Sequence, residues 1–184
     1  MSEIVRLTLL SHAMTDAMSA GRFPIDEPLN ELGHRQACAA SDLGPVDRAF
    51  CGSEKRTRQT AELLGLAAET DSRLADLDCG RWRGDALDGV EPAELAVWLT
   101  DPQRAPHGGE SVVDLMARVR GWLEAMSTTP SRTAVVTHPA VVRAAVLLVL
   151  DAPPKSFWRI DIAPLSRTLL HYRGHAWTLR SVVV

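Results

Sequence analysis

The chain is poor in cysteine, and the three it has form no recognisable set. Cys38, Cys51 and Cys79 are odd in number and contain no C-x-x-C pair. That argues against a disulfide framework and fits a reducing compartment, so a cytoplasmic location is expected. No apolar run approaches the length of a membrane span; the longest, near Ala144 to Leu150, reads as a core helix. The N-terminus lacks a basic segment followed by a long apolar stretch, so no signal peptide is expected. No excess of either charge sign exists: the net charge is -3 and the pI about 6.1. Neither nucleic acid nor an anionic membrane is therefore expected as a partner. H-x-H and H-E-x-x-H spacings are missing, which disfavours a zinc hydrolase, and no metal or other cofactor is expected. Internal repeats, linkers and low-complexity tracts are also missing, so one domain over 1–184 suffices.

What is present is an ordinary globular composition: 184 residues, 46% hydrophobic and 23% charged, enough for a real core. Two of its apolar runs end alike. Leu7-Thr8-Leu9-Leu10 leads into Ser11-His12, and Ala134-Val135-Val136 leads into Thr137-His138. Short apolar runs with polar ends read as buried strands of a parallel sheet. Ligands of open α/β sheets bind beyond the carboxyl ends of such strands, so one crevice can receive both histidines.

Along the chain, strands are expected at Ile4–Leu10, Arg48–Cys51, Ala67–Thr70 and Thr133–Thr137. Helices are expected from an Asn30 cap to about Leu43, over Arg56–Leu64, over Pro92–Leu99, from a Ser111 cap, and over Pro139–Leu150. Val112, Leu115, Met116, Val119, Trp122, Leu123 and Met126 recur at helical spacing and read as a core face. Ser11 to Pro28 is a long loop, of a kind often functional, and Arg73 to Gly89 is irregular. Asp161 to Val184 reads as two or three strands with a turn at Arg173-Gly174. Strands alternating with helices favour a three-layer α/β/α sandwich on a mostly parallel sheet.

A strand-tip histidine with one ring nitrogen fixed on a carbonyl keeps the other free as nucleophile or base. Taking a phosphoryl group also requires cations aimed at its oxygens. Arg56 follows a strand and opens a helix, a place friendly to anions. An acid such as Asp76 can protonate a leaving alkoxide; Asp78 and Glu110 are alternatives.

These residues resemble the histidine phosphatase, or phosphoglycerate mutase-like, superfamily. Asp26-Glu27-Pro28-Leu29-Asn30 with Gly33 and Gln36-Ala37 is similar to the family's D-x-P-L-T/N-x-x-G-x-x-Q-A. Arg56-Thr57-Arg58-Gln59-Thr60-Ala61 resembles R-A-x-Q-T-A, and Asp76 to Gly84 resembles E-L-x-x-G-x-W-E-G. Gly108-Gly109-Glu110-Ser111 matches G-G-E-S, and Val135 to His138 matches the strand bearing the second histidine. The resemblance implies a phosphoglycerate mutase-like fold, a small phosphorylated metabolite as substrate, and no metal. It implies that His12 becomes phosphohistidine, that Arg56 and His138 hold the phosphoryl oxygens, and that Asp76 replaces the usual glutamate as proton donor.

The chain departs from the family at its signature, where Ser11-His12-Ala13 replaces Arg-His-Gly. The absent arginine normally clamps the phosphate, and an asparagine that also contacts it aligns with Met18. An arginine on a transferring phosphoryl group is worth about 10³–10⁵ in rate. Ser11 offers one neutral hydrogen bond, Thr137 is a further substrate contact, and Arg22 is the nearby cation able to swing in. Ala13 adds a Cβ that narrows or moves the pocket, Arg83 makes its mouth more basic, and His107 is placed near that mouth. Two functions are therefore carried: a phosphomonoesterase weak on generic substrates, and a degenerate member that binds an anion or partner. Mutase activity is disfavoured, because the chain is shorter than the family's mutases. A homodimer formed by edge pairing of the C-terminal strands is possible.

Overall fold

The computed structural model describes residues 4–40 and 42–183. Six strands form one sheet: β1 (Val5–Ser11), β2 (Arg48–Cys51), β3 (Glu69–Thr70), β4 (Arg132–Thr137), β5 (Arg167–Tyr172) and β6 (Trp177–Val183). Their order is β3-β2-β4-β1-β5-β6. The first four run parallel, whereas β5 and β6 are antiparallel. The helices are α1 (Asp16–Ser19), α2 (Glu31–Ala39), α3 (Lys55–Leu63), α4 (Pro92–Thr100), α5 (Val112–Met126) and α6 (Pro139–Val149).

Side-chain alternation along the strands divides the core between the two faces. Leu7 and Leu9 of β1 and Val135 of β4 join the large cluster built with α5 and α6. Leu10, Ala134 and Val136 face the other way, against Ala61 of α3. Ala13, Leu29 and Ala37 extend that second side toward α2. Helices thus cover both faces of a mixed, mostly parallel sheet. The apolar stripe foreseen on α5 is buried from Val112 to Leu123, while Met126 packs at its margin.

Several boundaries differ from expectation. The α2 helix ends at Ala39, because Ala40 leaves helical geometry (φ -64°, ψ 137°); Gly44-Pro45 comes too late to be its stop. Ser41 and Val184, inside the expected helix and final strand, lie outside the described residues. The long loop contains α1, whose Thr15 cap accepts from Met18 N–H. The third strand is only Glu69–Thr70, and the C-terminal region forms two strands. A 3₁₀ segment over Pro154–Arg159, buried through Phe157, was not foreseen. Its burial comes from packing on α6, which local pattern does not encode. Among the described residues no helix is long and apolar enough to cross a membrane.

Ser111 does cap α5, and does so reciprocally. Its Oγ accepts from Asp114 N–H at 3.1 Å while the Asp114 carboxylate accepts from Ser111. Replacing Ser111 by alanine is expected to cost about 1 kcal/mol, measured by urea unfolding. Equal stability of the two proteins would contradict the capping assignment.

Candidate active site

In parallel register, Ser11 of β1 lies opposite Thr137 of β4. Each strand therefore delivers its next residue, His12 or His138, to the same sheet edge. The two rings meet edge to face with centroids 5.2 Å apart. The Nδ1 of His12 donates to its neighbour's carbonyl, Ala13 O, at 2.8 Å, which leaves Nε2 without a hydrogen bond among the described residues. Burial above all, then His138 and Arg56, drives the His12 pKa down to about 3. The ring is thus a neutral imidazole with a free lone pair.

Arg56 opens α3 and is buried. Its Nη2 donates to Asp76 Oδ2 at 2.8 Å and its Nη1 to Ile25 O at 2.8 Å. Asp76 reaches it from the irregular loop, and Arg118 of α5 holds that loop by donating to the carbonyls of Arg73, Ala75 and Asp76. The Nδ1 of His138 lies 3.4 Å from Asp76 Oδ2. Burial pushes the Asp76 carboxyl up, but His138 and Arg56 outweigh it and hold it below its usual range. Asp76 is therefore an ionised partner of Arg56.

A cavity of about 180 Å³ is lined by His12, Arg56 and Asp76, by Met18 and Arg22, and by the aromatic rings of Phe23, Trp98 and Trp158. A larger one of about 640 Å³ shares Arg56 and Asp76 with it and is also lined by Glu54, Asp78, Arg83, Glu110 and Arg118. Both sequence alternatives for the acid line this second cavity and are engaged elsewhere. Asp78 pairs with Arg83 at 2.9 Å, and Glu110 with Arg118 at 2.7 Å.

The structure brings His12, Arg56, Asp76 and His138 together; His12, Arg56 and Asp76 line the smaller cavity with Arg22, whereas His138 is fully buried behind them and lines neither cavity. The structure does not bring Ser11 or Thr137 to either cavity wall. Ser11 is fully buried and its Oγ has no hydrogen-bond partner; the Thr137 hydroxyl donates to Leu74 O at 2.8 Å. The Ala13 side chain packs with Leu29 and Ala37 rather than into the pocket. His107 is buried against Trp82 and Trp98 instead of lying at the mouth.

Three site residues escaped the sequence reading. Arg143 of α6 lines the smaller cavity, its Nε donating to Ile160 O at 2.7 Å. Glu27 lines it too, with both carboxylate oxygens buried and Arg56 at 3.9 Å. Glu54 accepts Asp76 N–H at 2.9 Å and sits 3.0 Å from His138 Nε2. Burial pushes Glu54 up, but His138 and the Asp76 amide outweigh it and bring its pKa to about 2. Only position within the motif, two residues before Arg56, marked Glu54 in the sequence.

Comparison with known proteins identifies the family. The model of the histidine phosphatase superfamily (branch 1) matches residues 7–184, and the chain belongs to that family. It is 37% identical over 127 residues to glucosyl-3-phosphoglycerate phosphatase of Mycobacterium tuberculosis, covering 62% of this chain and 57% of that protein. The chain thus spans little more than half of that relative. It is 28% identical to phosphoserine phosphatase 1 of Hydrogenobacter thermophilus, over 91% of this chain and 87% of the other. A solved mycobacterial glucosyl-3-phosphoglycerate phosphatase in complex with VO3 superposes with a TM-score of 0.81 at 28% identity, covering 96% of this chain and 97% of that one.

The depressed pKa values fix a pH dependence of stability. The unfolded chain binds protons at His12 that the folded chain refuses between pH 6.5 and about 3, so stability rises with pH across that window and is lost as pH falls through it. Glu54 acts in the same direction between pH 4.5 and about 2. Urea unfolding from pH 7 to pH 5 is expected to show falling stability, by up to about 1.4 kcal/mol per pH unit for one group. His12→Asn should flatten that slope; an unchanged slope would contradict the buried neutral imidazole.

Proposed function

We propose that this histidine phosphatase superfamily member hydrolyses a small phosphorylated metabolite through a phosphohistidine on His12. The observation that carries the reading is a neutral His12, fixed at Nδ1 by Ala13 O, whose free Nε2 opens into a cavity shared with Arg56 and Asp76. The phosphatase names of the two curated relatives support the same class of reaction.

In this mechanism the phosphoryl group enters beside Arg56, which exchanges Asp76 for the phosphoryl oxygens. His138 holds the same group. The anion now beside Asp76 raises its proton affinity, since like charges disfavour ionisation, and Asp76 takes up a proton from solvent. His12 Nε2 attacks phosphorus as the P–O bond to the leaving group breaks, and Asp76 gives its proton to the departing alkoxide. Asp76, again a carboxylate, then takes a proton from water as that water attacks the phosphohistidine. Phosphate leaves and His12 is free. Arg22 and Arg143 are the cations of the small cavity that can offset the arginine missing at position 11. The three cysteines without disulfides suit a reducing, cytoplasmic setting, and the outer edge of β6, with Val182 and Val183 exposed, suits pairing with a second copy.

A second reading, a protein that binds an anion and turns over little, is favoured by one observation: Ser11 does not face the cavity and supplies no substitute clamp. Hydrolysis of p-nitrophenyl phosphate at pH 5 to 7 separates the two. The phosphatase reading expects turnover that His12→Ala abolishes, that Asp76→Asn lowers roughly 10²–10⁴-fold, and that Arg22→Ala weakens through phosphate affinity. A wild-type protein that is inactive but revived by Ser11→Arg would establish the binding reading instead.

A further inference from the structure

Glu54 occupies the cap position of α3, yet its side chain makes no cap hydrogen bond to that helix. Both carboxylate oxygens reach across the site instead. Oε2 lies 3.0 Å from His138 Nε2, and Oε1 accepts Asp76 N–H at 2.9 Å. One carboxylate thus joins the β4–α6 junction to the loop that bears the acid. We propose that Glu54 is a positioning residue that holds His138 and Asp76 in mutual register, and that Gly52 is glycine to leave room for its carboxylate.

Two independent observations support this. The first is the hydrogen-bond pattern. An ionised carboxylate only accepts, so the His138 proton it binds sits on Nε2, and Nδ1 is left facing Asp76 Oδ2 at 3.4 Å. His138 is fully buried, and among the described residues Glu54 is its one ring hydrogen-bond partner. Without Glu54 nothing fixes the tautomer or the ring plane. Such partners orient the groups that touch substrate; Glu54 itself lines only the larger cavity, which His12 does not border.

The second is Gly52. It is not among the glycines with positive φ, so its backbone gives no reason to exclude a side chain. Space does. A methyl group there would stand 2.8 Å from Glu54 Oε2, and 3.0 Å from both His138 Nε2 and the Leu74 carbonyl oxygen, inside van der Waals contact, with the carboxylate the nearest of the three. The missing side chain and the carboxylate two residues later act as one device. The device carries extra weight here because position 11 lacks an arginine, so more of the hold on the phosphoryl oxygens falls to Arg56 and His138, beside Arg22 and Arg143 of the same cavity.

The kinetic part of this inference rests on the phosphatase reading; the geometric part does not. The test therefore pairs steady-state turnover of p-nitrophenyl phosphate with ¹⁵N spectra of the histidine rings, for wild type, Glu54→Ala, Glu54→Gln, Gly52→Ala and the double variant Gly52→Ala/Glu54→Ala. Glu54→Ala is expected to lower kcat roughly 10–100-fold with KM changed less than about twofold. Glu54→Gln keeps an acceptor and a similar volume, and should recover part of the loss. Wild-type His138 should show a proton fixed on Nε2, and Glu54→Ala should lose that signature. Gly52→Ala should reproduce Glu54→Ala, with the double variant no worse than either alone. Unchanged kcat and ring signals in both Glu54 variants, or additive losses from Gly52→Ala and Glu54→Ala, would overturn the inference. If wild type itself turns nothing over, the phosphatase reading fails, and the ring signals alone still decide the role of Glu54.

Discussion

The parallel register of β1 on β4 is the constraint from which the site follows. Ser11 opposes Thr137 in that ladder, so the next residue of each strand emerges at one level. A slip of one residue would turn every side chain of β1 to the opposite face, exchanging the Leu7 and Leu9 contacts with α6 for those of Leu10 with α3. The two-sided core therefore holds the register. The register in turn holds the histidine rings 5.2 Å apart. A catalytic geometry is thus maintained by packing on both faces of the sheet.

The polar groups of the site are arranged as closed pairs. Arg56 is satisfied by Asp76, and the His138 ring by a hydrogen bond to Glu54. A buried charge such as that of Arg56 needs such a partner. In the proposed mechanism, binding is an exchange of anions at Arg56 that lets Asp76 take up the proton it later gives to the leaving group.

The elements legible in the sequence were those set by local pattern. The apolar runs at Leu7–Leu10 and Ala134–Val136, the stripe on α5 and the Ser111 cap all emerged as expected. His12, Arg56, Asp76 and His138 were legible because family motifs run through them, and the structure gathers them in one cluster. What was hidden depends on direction and distance. Ser11 and Thr137 sit beside the site in sequence, but their side chains do not follow those of the histidines into the cavity. Glu54 was hidden because its partners, His138 and Asp76, lie far away in the chain and meet it only after folding. The 3₁₀ segment at Pro154–Arg159 was hidden because its burial comes from packing against α6, not from a local pattern of its own.

The central claim is that His12 carries the phosphoryl group although no arginine precedes it. Its most direct test is to react the protein with p-nitrophenyl phosphate, quench in alkali, where phosphohistidine survives, and locate the phosphate by peptide mass spectrometry. Phosphate on His12, absent from the His12→Ala protein, is the predicted result. Turnover without phosphate on His12, or with phosphate on another residue, would contradict the account.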